Sequence, residues 1–286
     1  MTKLRIWLLA IRPKTLSASI APVLIGGLFA DTLNLFLFSL TLITAMAIQV
    51  GTNLANDYFD CLKGADTSER KGPVRVTQAG LVSPEMMRNA IVLTFALAAG
   101  TGLFLAYEGG IVITGLLLLS ITLGILYTAG PFPLAYIGLG DLFVLLFFGP
   151  IATAGTCYLQ THQFSYQAAL AGMGLGMLSC AILTVNNLRD IEEDRKAHKK
   201  TLCVRYGALF GKMEYLFMLI GAAAIPLFFM NQHPLTLLAS LILIPAFPLI
   251  RTVFTDGRPE VINLLLPKTS ILLILYTLLF CIGWKG

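Results

Sequence analysis

Charge is scarce in this 286-residue chain. Charged residues make up 12% of it and hydrophobic residues 57%, whereas a soluble globular domain usually carries about 25% charged residues. From Leu35 to Gly51 no residue ionises, and the mean hydropathy is +0.81. These values exclude an ordinary soluble domain and imply an integral membrane protein. Cysteine is sparse too: Cys61, Cys157, Cys180, Cys203 and Cys281 are scattered, with no C-x-x-C pair and no histidine at ligand spacing. A zinc site or disulfide framework is therefore excluded, which leaves packed, reduced thiols. No small-residue cleavage site follows the basic N-terminus, so the first apolar segment is expected to be retained.

What the chain has in quantity is hydrophobic runs. They fall at 16–31, 35–58, 86–106, 110–128, 137–157, 167–188, 208–230, 235–252 and 263–283, bounded by polar residues or Gly/Pro breaks. Each approaches the ~20 apolar residues that a helical span needs. The expected fold is an all-α membrane protein of about nine transmembrane helices around a central cavity. It forms a single domain, 1–286, with long loops at about 61–85 and 189–207.

The net charge of +5 could suit a nucleic-acid binder, but its distribution argues against that partner. Of the 20 Lys and Arg residues, only Lys285 falls outside four connections of one side: the N-terminus and those after the second, sixth and eighth runs. Cytoplasmic loops collect such residues, so the N-terminus is expected in the cytoplasm and the lipid bilayer is the partner of most of the surface.

Two polar clusters interrupt this pattern on the basic side. Asn53, Asn56, Asp57 and Asp60 end the second run, and Asn186, Asn187, Asp190 and Asp194 end the sixth. At about 100° per residue each set shares one helical face. The Asn-x-x-x-Asp pairs lie four spans apart, on the same membrane side, which points to a weak four-helix pseudo-repeat with a site between its halves. One such cluster would suit a solvated helix end; two with the same spacing and a long basic loop after each argue for a site.

Carboxylates facing each other at a membrane edge are costly unless a cation joins them. Mg²⁺ takes oxygen ligands and commonly links carboxylates to substrate phosphates, and asparagines add ligand oxygens without charge. Lys14, Arg75, Arg189, Lys199 and Lys200 are placed to approach a bound diphosphate. A metal–diphosphate mouth opening on an apolar tunnel suits a polyprenyl diphosphate, whose allylic C–O bond ionises to a delocalised cation.

The stretches "NLANDYFDCLKGADT" and "VNNLRDIEEDRKAHKKTLCVRYG" resemble the two aspartate motifs of the UbiA-type intramembrane prenyltransferases. Together with "RPKTLSASIAPVLIGG", "GPVRVTQAGLVSP" and "YTAGPFPLAYIGLGDLFVLLFFGP", they are similar to the branch that prenylates 1,4-dihydroxy-2-naphthoate in menaquinone synthesis. The resemblance implies that Asp57, Asp60, Asp190 and Asp194 bind Mg²⁺–diphosphate, with Asn53, Asn56, Asn186 and Asn187 beside them. It implies that Tyr127 lines the substrate site and that Asp66 matches the last aspartate of the first motif. Some members carry a lysine after that tyrosine; residues 127–140 hold none, so Lys14 or Arg75 is expected to serve. His198 stands where a small residue is usual. The implied reaction joins a polyprenyl group to an aromatic acid, with loss of diphosphate and CO₂, on the cytoplasmic side of a bacterial inner membrane.

Other readings follow from the same residues. Another acceptor such as 4-hydroxybenzoate would use the same mouth. A cation-coupled transporter would need ionisable residues in the outer halves of the spans, and none match. The aspartate pattern of CDP-alcohol phosphotransferases is absent. Asp141 is open between a packing contact and part of the acceptor site. Prenyl length and oligomeric state leave no mark in the sequence.

Overall fold

A computed structural model describes residues 1–64 and 72–286. Among the described residues every regular element is helical: α1 (Lys3–Ile11), α2 (Leu16–Gly27), α3 (Leu35–Leu62), α4 (Pro84–Leu126), α5 (Gly140–Phe147), α6 (Pro150–Thr161), α7 (Tyr166–Arg189), α8 (Ile191–Lys196), α9 (Leu202–Ala224), α10 (Leu243–Thr255) and α11 (Pro259–Lys285). Short 3₁₀ segments, Ile225–Phe229 and Pro234–Ile242, join α9 to α10.

Eight stretches of the described residues are long and apolar enough to cross a membrane. One of them, α4, has 43 residues, about 65 Å of helix at 1.5 Å per residue against a hydrocarbon core of about 30 Å. It cannot be one span. Gly110 breaks it with φ 62° and ψ −153°, a conformation in which a side chain would be strained. The arms then fold back on each other. A Cβ on Gly102 would meet Leu117, and Gly124 lies against Phe95, pairs whose members lie on opposite sides of the break and within one residue of the same distance from it. Counted as two crossings, α4 brings the eight stretches to the nine that the hydrophobic runs predict.

Helix α7 forms the centre. Of its most apolar 18 residues 72% are buried, against 11% for α4 at the periphery. Leu175, Leu178 and Val185 of α7 pack with Ile25 of α2, Leu219 of α9 and Tyr276 of α11 in one continuous core. Small residues let the neighbours approach, as helix contacts in lipid require. Gly176 lies against the backbone of Leu145 and Gly149, and Gly174 lies beneath the Tyr276 hydroxyl.

The chain reverses at each span, so the C-terminal ends of α3, α4 and α7 meet the N-terminal ends of α5 and α9 at one end of the bundle. The N-terminal segment joins them, because Asn53 Nδ2 donates to the Ile11 carbonyl oxygen at 2.8 Å. Helix α1 was not among the expected runs; it precedes Pro13, and a 3₁₀ turn over Pro13–Thr15 leads into α2.

Gly176→Val would drive a side chain into the α5–α6 backbone, an overpacking that costs about 1–3 kcal/mol. It is expected to lower the thermal unfolding midpoint in detergent. Gly100→Ala, with nothing within 4 Å of the new Cβ, is expected to leave it unchanged.

Candidate active site

The last turns of α3 bury four polar side chains: Asn53, Asn56, Asp57 and Asp60. Such groups persist in an apolar setting only when hydrogen-bonded, and all four find partners on the segments that connect the helices. Asn53 donates to Ile11 and also to Thr15 Oγ1 at 3.0 Å. Asn56 Oδ1 accepts from Thr128 Oγ1 at 2.9 Å. Asp57, only 1% exposed, accepts from the backbone N–H groups of Val76 at 3.1 Å and Thr77 at 2.9 Å.

Asp60 gathers the most. The Tyr136 hydroxyl donates to its Oδ1 at 2.8 Å and Lys199 Nζ to its Oδ2 at 3.0 Å. Arg75 Nη2 lies 3.5 Å from Oδ2. Lys63 and Lys199 sit over the Tyr136 ring, 4.6 and 4.9 Å from its centroid, within cation–π range. Lys63 Nζ also donates to the carbonyl oxygens of Thr128 at 2.6 Å and Gly130 at 3.4 Å. Partial burial lowers the Lys63 pKa; Asp60 opposes that fall and Lys199 adds to it.

The end of α7 is held differently. Arg189 forks onto Asp190, with Nε and Nη2 each 2.6 Å from a carboxylate oxygen. The same guanidinium reaches Asn186 Oδ1 at 2.6 Å and Asn263 Oδ1 of α11 at 2.8 Å. Asn187 turns the other way, its Nδ2 3.4 Å from Asp141 Oδ1. The helix ends at Asp190 (φ −99°, ψ 10°), so Asp194 sits on the short α8, its N–H bonded to the Asp190 carbonyl at 2.7 Å.

These ends surround a cavity of about 330 Å³, within the size range of small-molecule sites. Its polar end is lined by Asn53, Asn56, Asp60, Arg75, Tyr127, Asn186, Asn187, Asp190, Asp194 and Lys199. Ile48, Leu123, Phe143, Phe147, Phe148 and Ile182 supply a mostly apolar remainder of the wall, which Ser19, Gln49, Ser120 and Ser179 interrupt. Ten of the expected residues thus face one space.

Four expected residues do not line it: Asp57, Lys14, Lys200, and Arg189, which is bonded to Asp190. Asp57 is turned to the Val76–Thr77 backbone and builds the loop that presents Arg75. Lys14 is exposed, and Arg12 lines the cavity in its place; its left-handed backbone (φ 56°) redirects the chain before Pro13. Asp66 lies outside the described residues. Tyr127 is half-buried and lines the cavity. Its phenol pKa is raised by that burial, then by Asp141, so it remains a hydroxyl donor near neutral pH.

The match to a family model, described as the UbiA prenyltransferase family, extends over residues 19–265. The chain belongs to the UbiA prenyltransferase family. It is 37% identical to a 1,4-dihydroxy-2-naphthoate octaprenyltransferase of Haemophilus influenzae, a match covering 98% of this chain and 96% of that protein. It is 35% identical to the enzyme of the same name from Escherichia coli, over 99% and 96% of the two chains. The fold matches that of a UbiA homolog from Archaeoglobus fulgidus bound to DMAPP and Mg²⁺, with a TM-score of 0.65, 18% identity and coverage of 98% and 99%. A UbiA prenyltransferase with these spans is an integral membrane enzyme.

Sequence reasoning missed Lys63, Tyr136 and Arg12. Lys63 had a signal, because it follows Asp60 by three residues and so shares its helix face. It supplies an ammonium to the 127–140 stretch that has no lysine of its own. Tyr136 had none; only the folded loop brings it to Asp60.

Asp57→Asn tests the structural role of that carboxylate. An amide offers one accepting oxygen and turns its N–H₂ against the second backbone donor, where charge-assisted bonds of about 1.5–3 kcal/mol stood. Faster amide exchange over residues 75–80 and a lower unfolding midpoint are expected. Unchanged exchange there would contradict the assignment.

Proposed function

We propose that this chain transfers a polyprenyl group from polyprenyl diphosphate to 1,4-dihydroxy-2-naphthoate, releasing diphosphate and CO₂ and yielding the quinol form of demethylmenaquinone. The observation that carries this reading is the cavity, which joins carboxylates and amides from two helix ends to a mostly apolar depth. The naphthoate acceptor is supported by relatives of that activity that align over nearly the whole chain.

Mg²⁺ is the proposed cofactor, and the donor set fits it. Asp60, Asp190 and Asp194 present oxygen ligands, with Asn53, Asn56 and Asn186 beside them, as a hard cation requires. When bound, the metal neutralises charge growing on the departing diphosphate. Arg75 and Lys199, both within 3.5 Å of Asp60, are placed to turn to the diphosphate oxygens. Asp57 contributes by holding the Arg75 loop.

Breaking the allylic C–O bond sends its electron pair to the diphosphate and leaves a prenyl cation. Phe143, Phe147 and Leu123 exclude water from that cation, which protects it from hydrolysis. The naphthoate ring carbon attacks it. The electrons of the ring–carboxylate bond then return to the ring as CO₂ departs, so charge balances without an added proton.

The single domain lies in the bacterial inner membrane in this reading, with the site on the cytoplasmic side. Support comes from the loops near 61–85 and 189–207, which carry much of the basic charge at the same end as the cavity. A cysteine introduced at Lys3 should then be shielded from impermeant maleimide in intact cells, and one at Lys285 should be labelled. The opposite labelling would reverse the orientation.

Purified protein in liposomes, given 1,4-dihydroxy-2-naphthoate, a polyprenyl diphosphate and Mg²⁺, is expected to form a prenylated naphthoquinol, detected by mass spectrometry as such or as the quinone left by air oxidation. EDTA should abolish it. Asp60→Asn and Asp190→Asn should each reduce kcat/KM by about a hundredfold or more, roughly 2.7 kcal/mol of transition-state stabilisation. Product with 4-hydroxybenzoate alone would move the acceptor, and product with no aromatic acid would sink the reading.

A further inference from the structure

Asp141 is 94% buried, in the first turn of α5, and it does not line the main cavity. A carboxyl group there favours the positive end of the helix, but an exposed acid would do the same at lower cost. What distinguishes Asp141 is its contact with Asn187, which, like Tyr127 and Thr201, lines both the main cavity and a small void of about 20 Å³ beside it.

We propose that Asp141 is a positioning residue that takes the Asn187 amide nitrogen and so turns the Asn187 carboxamide oxygen into the cavity, where it accepts a hydrogen bond from a phenolic hydroxyl of the aromatic acceptor. The inference rests on the proposed function of the cavity.

The chemistry of the pair sets the direction. An ionised carboxylate can only accept, and the only donor a carboxamide has is its N–H₂. The nitrogen 3.4 Å from Asp141 Oδ1 is therefore the donor, and the carboxamide oxygen diverges from it. Behind Asp141, Cys180 and Glu214 bring ligating atoms within 4.8 Å of its oxygen and of one another, so this side of the wall is closed by protein.

Tyr127 completes the arrangement. A Cβ on residue 140 would come within 3.0 Å of the Tyr127 hydroxyl, so Gly140 leaves the room that the phenol occupies. Tyr127, Asp141, Asn187 and Thr201 bound the small void, which is the size of one water with several polar partners. The wall then offers one acceptor, Asn187, and one donor, Tyr127. That is the complement of a hydroxy-acid ring, and accepting a bond from a phenolic hydroxyl raises the electron density the ring needs for attack.

The test is steady-state kinetics in liposomes with each substrate varied in turn, using wild type, Asp141→Asn, Asp141→Glu, Asn187→Ala and the double variant Asp141→Asn/Asn187→Ala. Asp141→Asn permits either amide orientation, so the KM for the aromatic acid should rise about tenfold, while that for polyprenyl diphosphate stays within about twofold. Asp141→Glu should recover part of the loss. In the Asn187→Ala background Asp141→Asn should add nothing, because coupled residues are not additive. Equal change in both KM values, or full additivity in the double variant, would overturn the inference while leaving the proposed function intact. If Asp141→Asn fails to fold, Asn187→Ala decides: an unchanged acceptor KM overturns the inference. A wild type that prenylates only 4-hydroxybenzoate is measured with that acid, and one that prenylates no aromatic acid overturns both readings.

Discussion

A carboxylate at the edge of a hydrocarbon layer must meet a cation, and the arrangement of the loops follows from how Asp60 and Asp190 meet theirs. Asp60 is satisfied by Tyr136, Lys199 and Arg75, which come from three separate connections. One buried charge therefore draws together the segment after α3, the α4–α5 loop and the segment after α8. Asp190 is satisfied by Arg189, whose remaining donors reach Asn186 and Asn263 and so tie α7 to α11. Removing one member of such a buried pair typically costs about 3–5 kcal/mol. The site and the closure of this end of the bundle share the same bonds.

The cations that stabilise Asp60 are also the groups that a diphosphate attracts. Lys199 and Arg75 contact one carboxylate oxygen at 3.0 and 3.5 Å. A metal taking that oxygen would release both toward new anionic partners a few ångströms away. Charge at the mouth is thus exchanged between partners rather than uncovered, which avoids the cost of an isolated ion in a low-dielectric setting. Tyr136, with Lys63 and Lys199 over its ring, keeps those ammonium groups at the mouth in either arrangement.

Much of this was legible in the chain. Nine apolar runs marked the spans, and even the folded-back α4 was readable as two runs, 86–106 and 110–128, parted just before Gly110. Helical periodicity correctly grouped Asn53, Asn56, Asp57 and Asp60 as a buried face of α3. Periodicity identifies residues that share a face; it does not identify the loop that comes to meet it. That is why the bonds of Asp57 to the Val76–Thr77 backbone were not foreseen. The N-terminal basic residues show the same limit. Lys14 and Arg12 are close in sequence, yet a single left-handed residue before Pro13 puts Arg12 on the cavity and Lys14 in the open. Tyr136, surrounded by turn residues, had no local pattern to declare it.

Adjacent residues on a helix point about 100° apart, and α7 uses this to build two walls from one turn. Asn186 is held by Arg189 beside Asp190, on the side that faces the acidic mouth. Asn187 is held by Asp141, on the side that faces Tyr127 and the start of α5. The turn that carries both belongs to the most buried span of the molecule, fixed along its length by glycine contacts with the α5–α6 backbone and with Tyr276. Donor and acceptor walls therefore share one rigid support. A change in the tilt of α7 would move both together, so the distance between the leaving group and the ring is set by the packing of a helix rather than by loops.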